Sequence, residues 1–590
     1  MTGANSIGEG VGRVETRFAD ISLPSEGFRL ECGRSLRQLR IAYETYGRLS
    51  PQKDNVVFVC HALSGDAHAA GHHGDPERTR GWWDAMIGPG RGIDTDHYHV
   101  ICANILGGCK GTTGPSSINS DTGRPYGSSF PPITVWDIGE AHRLLLSHLG
   151  INRLAAVIGG SFGGMQVLEW AIRRPDMVSR AVCIASAPRL SAQALAFDVV
   201  GRDAITSDPE WRGGDYYDAG RGPVLGLALA RKIGHITYLS QEMMERKFGR
   251  ERMAAPPCGN FSTNFQVESY LDHQGDKFLE RFDANSYLYI TKAMDEFDIV
   301  ERYGSLEKAF SMARARMLVA AVSSDWLFPP EQSSLLANAM LRAGRSVAYC
   351  VLQAPHGHDA FLVDVSRLSD VIRAFLPWVG VPADHQIGSD RTDRPEFQII
   401  ASMIKPGSRV LDLGCGDGEL LSFLRKRGAA DTMGVDIDID SVIAVIDRGH
   451  DVFQADIDAG LAAMPDRSYD YAVLSETLPL LRRPRFVLSE MLRVAREGII
   501  SFPNTGSWRH RAAFLFSGRV PVPRGRIAEA WYDSGILHSF SWADFVDLCR
   551  RDGIKIVQTV CLPTCAAGRL LLGMGRQNLG AEHILVRVTK

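Results

Sequence analysis

No apolar stretch in these 590 residues approaches the roughly 18 needed to cross a bilayer, which argues against a helical membrane span. The start, Met1-Thr2-Gly3-Ala4-Asn5, is polar and lacks a basic region followed by an apolar core, so no signal peptide is expected. Excess charge is missing too. A formal net charge of −3 gives no bulk attraction to nucleic acid or to anionic membranes. No internal repeat of solenoid period is visible. A disulfide framework is also absent. The 11 cysteines are scattered, most of them in apolar strand-like runs such as Ala181-Val182-Cys183-Ile184-Ala185. That is the pattern of free cytosolic thiols, and a cytoplasmic location is expected. Cys561 and Cys565 lack the second pair or the histidines that a zinc site needs, and no metal is expected.

What is present is ordinary soluble composition, 45% apolar and 23% charged, in a chain too long for one hydrophobic core. Apolar strand-like runs alternate with amphipathic stretches, which reads as α/β architecture. A polar stretch with proline at each end, Val381 to Pro395, marks a boundary. Domain one is taken as 1–380, the linker as 381–394 and domain two as 395–590. Within domain one, strand-like Ala181 to Ser186 is followed by about 120 residues of mostly helical pattern before strand-like Met317 to Val322. An inserted helical lid, about 187–306, fits this layout. It includes the amphipathic runs Gln266 to Phe278 and Tyr287 to Glu296.

The strongest chemical signal is Gly159-Gly160-Ser161-Phe162-Gly163-Gly164. It lies between a strand-like run, Leu154 to Ile158, and a helix-like run, Met165 to Ile172. A strand–turn–helix elbow presents its serine in a strained conformation at a helix N-terminus, and its neighbours must lack bulk. In that context the motif predicts an α/β-hydrolase fold with Ser161 as nucleophile. An ordinary glycine-rich turn is the alternative.

A serine hydroxyl needs a base, and the base needs an orienting carboxylate. In this fold the chain order is nucleophile, acid, histidine. Met317 to Val322 ends in Ser323-Ser324-Asp325, and Val347 to Leu352 ends in Pro355-His356-Gly357-His358-Asp359. Both lie at C-terminal strand ends, where open α/β sheets place their sites. Asp325 is the expected acid, against a plain turn cap. His358 is preferred to His356 as the base. The oxyanion hole needs two backbone amides. Phe162 is one candidate and Leu63 the other, in the loop after Val56 to Val59. His61, His68, His72 and His73 crowd that region without a carboxylate at ligand spacing, and read as a polar loop.

With these residues in view, domain one resembles the homoserine O-acetyltransferase family over nearly all of 15–378. The specific motifs are His61-Ala-Leu-Ser-Gly-Asp66, Asn104-Ile-Leu-Gly-Gly-Cys-Lys-Gly-Thr-Thr-Gly-Pro115, the elbow through Trp170, Ser324-Asp-Trp-Leu-Phe328 and Gly357-His-Asp-Ala-Phe-Leu362. The resemblance implies a triad of Ser161, Asp325 and His358, with substrate contacts by Arg231 and Asp359. A guanidinium suits the carboxylate of homoserine and a carboxylate its ammonium. A lid salt bridge for Arg231 and a helix-end charge for Asp359 are the alternatives. The implied reaction is double displacement from acetyl-CoA, a substrate; no cofactor is expected for it. Members using succinyl-CoA often carry Arg two residues after the acid. Here that position is Leu327, which points to acetyl. The resemblance also suggests a homodimer through the lid helices. A succinyltransferase and a serine hydrolase are the rival functions.

In domain two, Ser408 to Leu413 reads as a strand, Gly414-Cys415-Gly416-Asp417-Gly418 as a loop and Glu419 to Arg425 as a helix. Met433 to Asp436 is a second strand ending in an acid. Glycines let a backbone approach its ligand, and the acid accepts ribose hydroxyls. The spacing resembles S-adenosylmethionine-dependent methyltransferases, a Rossmann-like class I domain. That implies contacts by Asp412, Gly414, Gly416, Gly418 and Asp436, with Asp456 facing the adenine. Ile554 to Val557 and Ile584 to Val588 suit a terminal hairpin on a seven-stranded sheet. Val410 to Glu419 and Ser501-Phe-Pro-Asn504 resemble more closely the methionine biosynthesis protein W family, and the pairing resembles bifunctional MetXA/MetW proteins. No acceptor-handling base is visible. A methyltransferase, a module sensing S-adenosylmethionine and a structural role all stay open.

Overall fold

A computed structural model of the chain describes residues 10–75, 78–254, 264–376, 394–429, 431–462, 464–518 and 535–590. It divides into two compact units, one ending at Gly380 and the other starting at Val381. Of the expected linker 381–394, all but Arg394 lies outside the described residues.

The first unit is built on eight strands: β1 Arg17–Asp20, β2 Arg40–Tyr46, β3 Val56–Cys60, β4 His99–Ala103, β5 Ala156–Gly160, β6 Arg180–Ile184, β7 Arg316–Val322 and β8 Val347–Leu352. Their order is β1-β2-β4-β3-β5-β6-β7-β8. The first two pair antiparallel, β2 pairs antiparallel with β4, and the rest run parallel. All five residues of β3 and of β5 are buried, as strands covered on both faces require. β5 runs two residues further than its apolar run suggests. Gly159 and Gly160 still pair with Cys183 and Ile184, because backbone pairing needs no side chain. Helix Phe162–Arg173 packs back onto β5 and β6, which fixes the elbow between them.

Between β6 and β7 the chain leaves the sheet. Four longer helices, Ala192–Thr206, Val224–Tyr238, Gln266–Leu279 and Ala284–Asp295, form the inserted layer. The first packs on the second and fourth, and the second on the third. Both expected amphipathic runs fall in these helices. Short helices Ile299–Tyr303 and Leu306–Phe310 lead back to β7.

The second unit has seven strands: β9 Arg409–Leu413, β10 Asp431–Asp436, β11 Asp451–Gln454, β12 Tyr469–Ser475, β13 Ala495–Pro503, β14 Lys555–Leu562 and β15 His583–Thr589. They are ordered β11-β10-β9-β12-β13-β15-β14. β15 is antiparallel to both neighbours and closes the terminal hairpin. Helix Pro395–Met403 covers this core through Phe397, Ile400 and Met403. Among the described residues the cysteines are all free, and no helix is long and apolar enough to cross a membrane.

Candidate active site

Ser161 sits at φ 57°, ψ −124°, outside the region L-residues prefer. Such a residue costs on the order of 1–3 kcal/mol and persists only where its surroundings fix it. Here they do. Ser161 N donates to Ile184 O at 2.9 Å, and its carbonyl accepts from Gly164 N at 2.9 Å. The flanking glycines leave no choice of residue. A Cβ on Gly163 would stand 2.1 Å from Cys60 O, and one on Gly159 would stand 2.5 Å from Gly163 O. The local crowding is thus the reason for the Gly-x-Ser-x-Gly spacing.

Asp325 and His358 meet below the loops after β7 and β8. His358 Nδ1 lies 2.7 Å from Asp325 Oδ2, with both side chains almost fully buried. A carboxylate only accepts, so Nδ1 carries the proton and Nε2 is left as the acceptor. Asp325 Oδ1 accepts from Leu327 N at 3.0 Å and Phe328 N at 2.9 Å. Burial draws the His358 pKa down, but the charge and hydrogen bond of Asp325, with Asp359 nearby, leave it raised overall. Phe328 stacks on the imidazole at 5.1 Å between ring centres. His356 instead faces Asp364 at 3.6 Å. Ser161 Oγ and His358 make no hydrogen bond to each other among the described residues. Catalytic contacts often tighten only with substrate bound.

The His358 loop is tied to the lid. Gly357 has φ 71°, and a Cβ there would stand 2.5 Å from Ser240 N and 2.6 Å from Tyr238 O. Trp326 Nε1 donates to Leu239 O at 2.9 Å, and Ser240 Oγ donates to Pro355 O.

The amides of Leu63 and Phe162 have no protein acceptor among the described residues, and Leu63 lines one cavity with Ser161. The Leu63 loop is held by His61. Its Nδ1 lies 2.8 Å from Ala62 O, and its Nε2 accepts from Ile105 N at 3.2 Å. His68 and His73 have a partner that sequence spacing could not supply. Glu44, buried on β2, accepts from His68 Nδ1 at 2.9 Å and His73 Nε2 at 2.7 Å. It also accepts from Thr16 Oγ1 and Tyr46 Oη. These three residues have the donor types of a metal site. Their separations, however, are direct hydrogen bonds, and the carboxylate is saturated.

Arg231 lies over Phe278 at 4.6 Å and Tyr238 at 5.5 Å from the ring centres. Asp359 is partly buried. Burial raises its pKa, while His358 and Arg231 pull it back. A second guanidinium, Arg281, was not singled out by motif. It flanks Phe278 and donates to Ser64 O at 3.2 Å in the Leu63 loop. The cavity over Ser161 is small, about 40 Å³, and Leu327, Phe328, Tyr238 and Asp198 help line it.

In the second unit a cavity of about 290 Å³ opens beside the glycine loop, lined by Asp412 and Gly414 with Arg394, Glu396, Asp417, Glu419 and Glu476. Gly414 has φ 74° and faces Thr477, where a Cβ would stand 2.7 Å away. Gly416 and Gly418 are also at positive φ, 52° and 79°. Asp436 braces the loop, accepting from Gly416 N at 2.8 Å. Asp456 is exposed and caps a short helix through Asp458 N; like Gly416, Gly418 and Asp436, it lies outside the lining of this cavity. Three residues from distant segments converge unannounced by any motif. His583 Nδ1 lies 3.5 Å from Glu396 and Nε2 3.4 Å from Glu476. With these donor types they could hold a cation.

The comparisons agree with this architecture. The family described as methionine biosynthesis protein MetW matches residues 394–588, and the α/β hydrolase fold matches 55–365. The chain is 43% identical over 554 residues to "Bifunctional methionine biosynthesis protein MetXA/MetW" of Rhodopirellula baltica, covering 92% of this chain and 88% of that protein. It is 54% identical to a homoserine O-acetyltransferase of Methanosphaerula palustris, over 59% of this chain and 70% of that one. It is also 49% identical to a homoserine O-succinyltransferase of Halothiobacillus neapolitanus, over 63% and 91%. The crystal structure of homoserine O-acetyltransferase from Bacillus anthracis superposes with TM-score 0.58 at 30% identity, over 62% of this chain and 98% of that one. That of esterase E22 gives 0.57 at 29%, over 62% and 100%. An α/β-hydrolase unit and a MetW unit in one chain, with a bifunctional relative matching 92% of it, place this protein in the family of bifunctional MetXA/MetW methionine biosynthesis proteins.

Proposed function

We propose that the first unit transfers the acetyl group of acetyl-CoA to the γ-hydroxyl of L-homoserine, giving O-acetyl-L-homoserine and CoA. The observation that carries this is the Asp325–His358 pair at 2.7 Å beside a strained Ser161 under a helical lid. His358 Nε2 takes the Ser161 proton as Oγ attacks the thioester carbonyl. Leu63 N and Phe162 N stabilise the oxyanion. CoA leaves with that proton, and acetyl-serine remains. His358 then accepts the homoserine hydroxyl proton as that oxygen attacks the ester. The proton returns to Ser161 as the product departs. Arg231 holds the homoserine carboxylate and Asp359 its ammonium. The lid keeps out water, which would hydrolyse the intermediate.

Acetyl is favoured over succinyl by Leu327, an apolar residue in the lining of the cavity. Steady-state rates with acetyl-CoA and succinyl-CoA, with and without homoserine, test this. Faster turnover of succinyl-CoA would overturn the donor, and thioester loss that ignores homoserine would mark a hydrolase. The lid helices expose Val199, Val200, Leu225, Leu229 and Ile236, an apolar surface that supports a homodimer. Sedimentation of the full chain would test it, and a monomer at micromolar concentration would refute it.

The second unit we read as a binder of S-adenosylmethionine. Gly414, Gly416 and Gly418 would admit its carboxypropyl chain, and Asp436 the ribose. The carboxylates of Glu396, Asp412, Asp417, Glu419 and Glu476 suit a ligand with two cationic centres. When bound, that molecule supplies an activated methyl group. Calorimetry on the full chain with S-adenosylmethionine and S-adenosylhomocysteine tests the reading, and heat from neither would sink it.

A further inference from the structure

The lid contributes to the serine cavity a carboxyl group that the reaction above does not use. Asp198, on helix Ala192–Thr206, lines the same space as Ser161 and Leu327. Its Oδ2 is sealed from solvent without a hydrogen-bond partner, and so is Oδ1 of Asp295 on helix Ala284–Asp295. Arg202, one turn after Asp198, pairs with Asp295 Oδ2 at 2.5 Å, where their side chains are 17% and 8% exposed. Arg202 and Asp295 do not line the cavity; Asp198 does. Of this buried cluster of two acids and one guanidinium, the cavity therefore meets Asp198, with the cation set behind it.

This arrangement is out of balance for a simple ion pair. Two carboxyls share one guanidinium, so the second must either keep its proton or stand as an uncompensated charge. Burial and the neighbouring Asp295 push Asp198 up to about 8, and the proton it keeps is engaged by Asp295. In either form Asp198 retains an acceptor with nothing to accept. A buried acceptor left unsatisfied is costly and needs a reason. The wall of an acyl cavity offers one. A two-carbon acyl group is neutral and asks nothing of that wall. A four-carbon dicarboxylic acyl group would bring a second acceptor, fully charged, against the first.

We propose that Asp198 is a specificity-determining residue that rejects acyl donors whose acyl chain ends in a carboxylate. This rests on the acetyl-transfer reading and extends it. Leu327 merely fails to attract such a chain, whereas Asp198 repels it, so discrimination has an attractive element missing and a repulsive one present.

The test measures kcat/KM for acetyl-CoA, succinyl-CoA and propionyl-CoA in the parent enzyme and in Asp198→Asn and Asp198→Ser. Each ratio is internal to one preparation, so partial unfolding does not move it. We expect the acetyl-to-succinyl ratio to fall about tenfold in both variants, the scale of relieving one buried acceptor set against a carboxylate. The acetyl-to-propionyl ratio should stay within threefold of the parent. A succinyl ratio that moves less than threefold in both variants overturns the proposal. So does a propionyl ratio that falls in step with it, since size and not charge would then be at work. Loss of all three activities at an unchanged melting temperature would place Asp198 in the reaction itself and also overturn it. A parent that prefers succinyl-CoA overturns the acetyl reading and this inference together. A parent that prefers acetyl-CoA with an unmoved ratio overturns this inference alone.

Discussion

Replacing Asp325 by asparagine changes one atom and, by the geometry, one proton. Asp325 Oδ1 accepts from the amides of Leu327 and Phe328, and Oδ2 from His358 Nδ1. Two backbone donors fix which end of the asparagine amide is which. The oxygen must stay on Leu327 and Phe328, so the NH2 group faces His358. Nδ1 must then become the acceptor, and the imidazole proton moves to Nε2. Nε2 is the atom that has to take the proton of Ser161, and protonated it cannot. The fold should survive, since shape and hydrogen-bond count are kept. Activity should not. The wrong tautomer in a Ser-His-Asp site costs about 10⁴ in kcat, and at 1.36 kcal/mol per decade that is about 5.4 kcal/mol of barrier. The assay is CoA thiol release at saturating acetyl-CoA and homoserine, with melting temperature as the control. The variant also loses the carboxylate that keeps the His358 pKa high. Its residual pH profile should therefore shift to lower pH. A variant that melts like the parent and keeps more than a tenth of its kcat would refute the relay.

Four shorter expectations follow from the same geometry. In the parent enzyme the base works unprotonated and its pKa is raised, so kcat/KM should climb with pH through a midpoint above the ordinary histidine value of about 6.5. A midpoint below that value in a pH–rate profile would contradict the Asp325 contact. Arg231→Lys should raise KM for homoserine about 10- to 100-fold with a smaller effect on kcat, because a point charge replaces a bidentate fork. Initial rates at varied homoserine check this. Gly163→Ala should abolish acyl transfer and destabilise the first unit by about 1–3 kcal/mol, as its Cβ has only 2.1 Å to Cys60 O; denaturant melts would read it. Gly414→Ala, with φ 74° and Thr477 in the way, should weaken S-adenosylmethionine binding in calorimetry while leaving acetyl transfer intact.

Legibility in the sequence followed the range of the interactions. The elbow could be read because its constraint is local. Crowding between Gly159, Gly163 and Cys60 O leaves a mark within six residues of chain and one neighbouring strand. Asp325 and His358 could be read because each follows a strand of recognisable pattern. The lid helices showed as amphipathic runs. What was hidden depends on encounters across the fold. Glu44 lies on an edge-side strand, 24 and 29 residues from the histidines it holds, with no periodicity to link them. Asp198 and Asp295 are ordinary helix residues until two lid helices are packed together. Glu396, Glu476 and His583 come from a helix, a strand end and the last strand. Asp436 and Asp456 each follow a strand, and each accepts from a nearby backbone amide, which sequence spacing alone does not reveal.

The contacts of Gly357 and Trp326 with residues 238–240 join two parts that an enzyme with a hinged cover would keep separate. The carrier of Arg231 and the carrier of the base travel together. To swing the roof outward is to drag Trp326 and the His358 loop with it. On the proposed mechanism, exposing the acyl-serine to bulk water would then disturb the base as well. An opened molecule would, on that mechanism, be an idle one, less able to lose its acyl group to water. A descendant lineage could become an esterase from this scaffold most directly by cutting that tie, with the nucleophile left untouched.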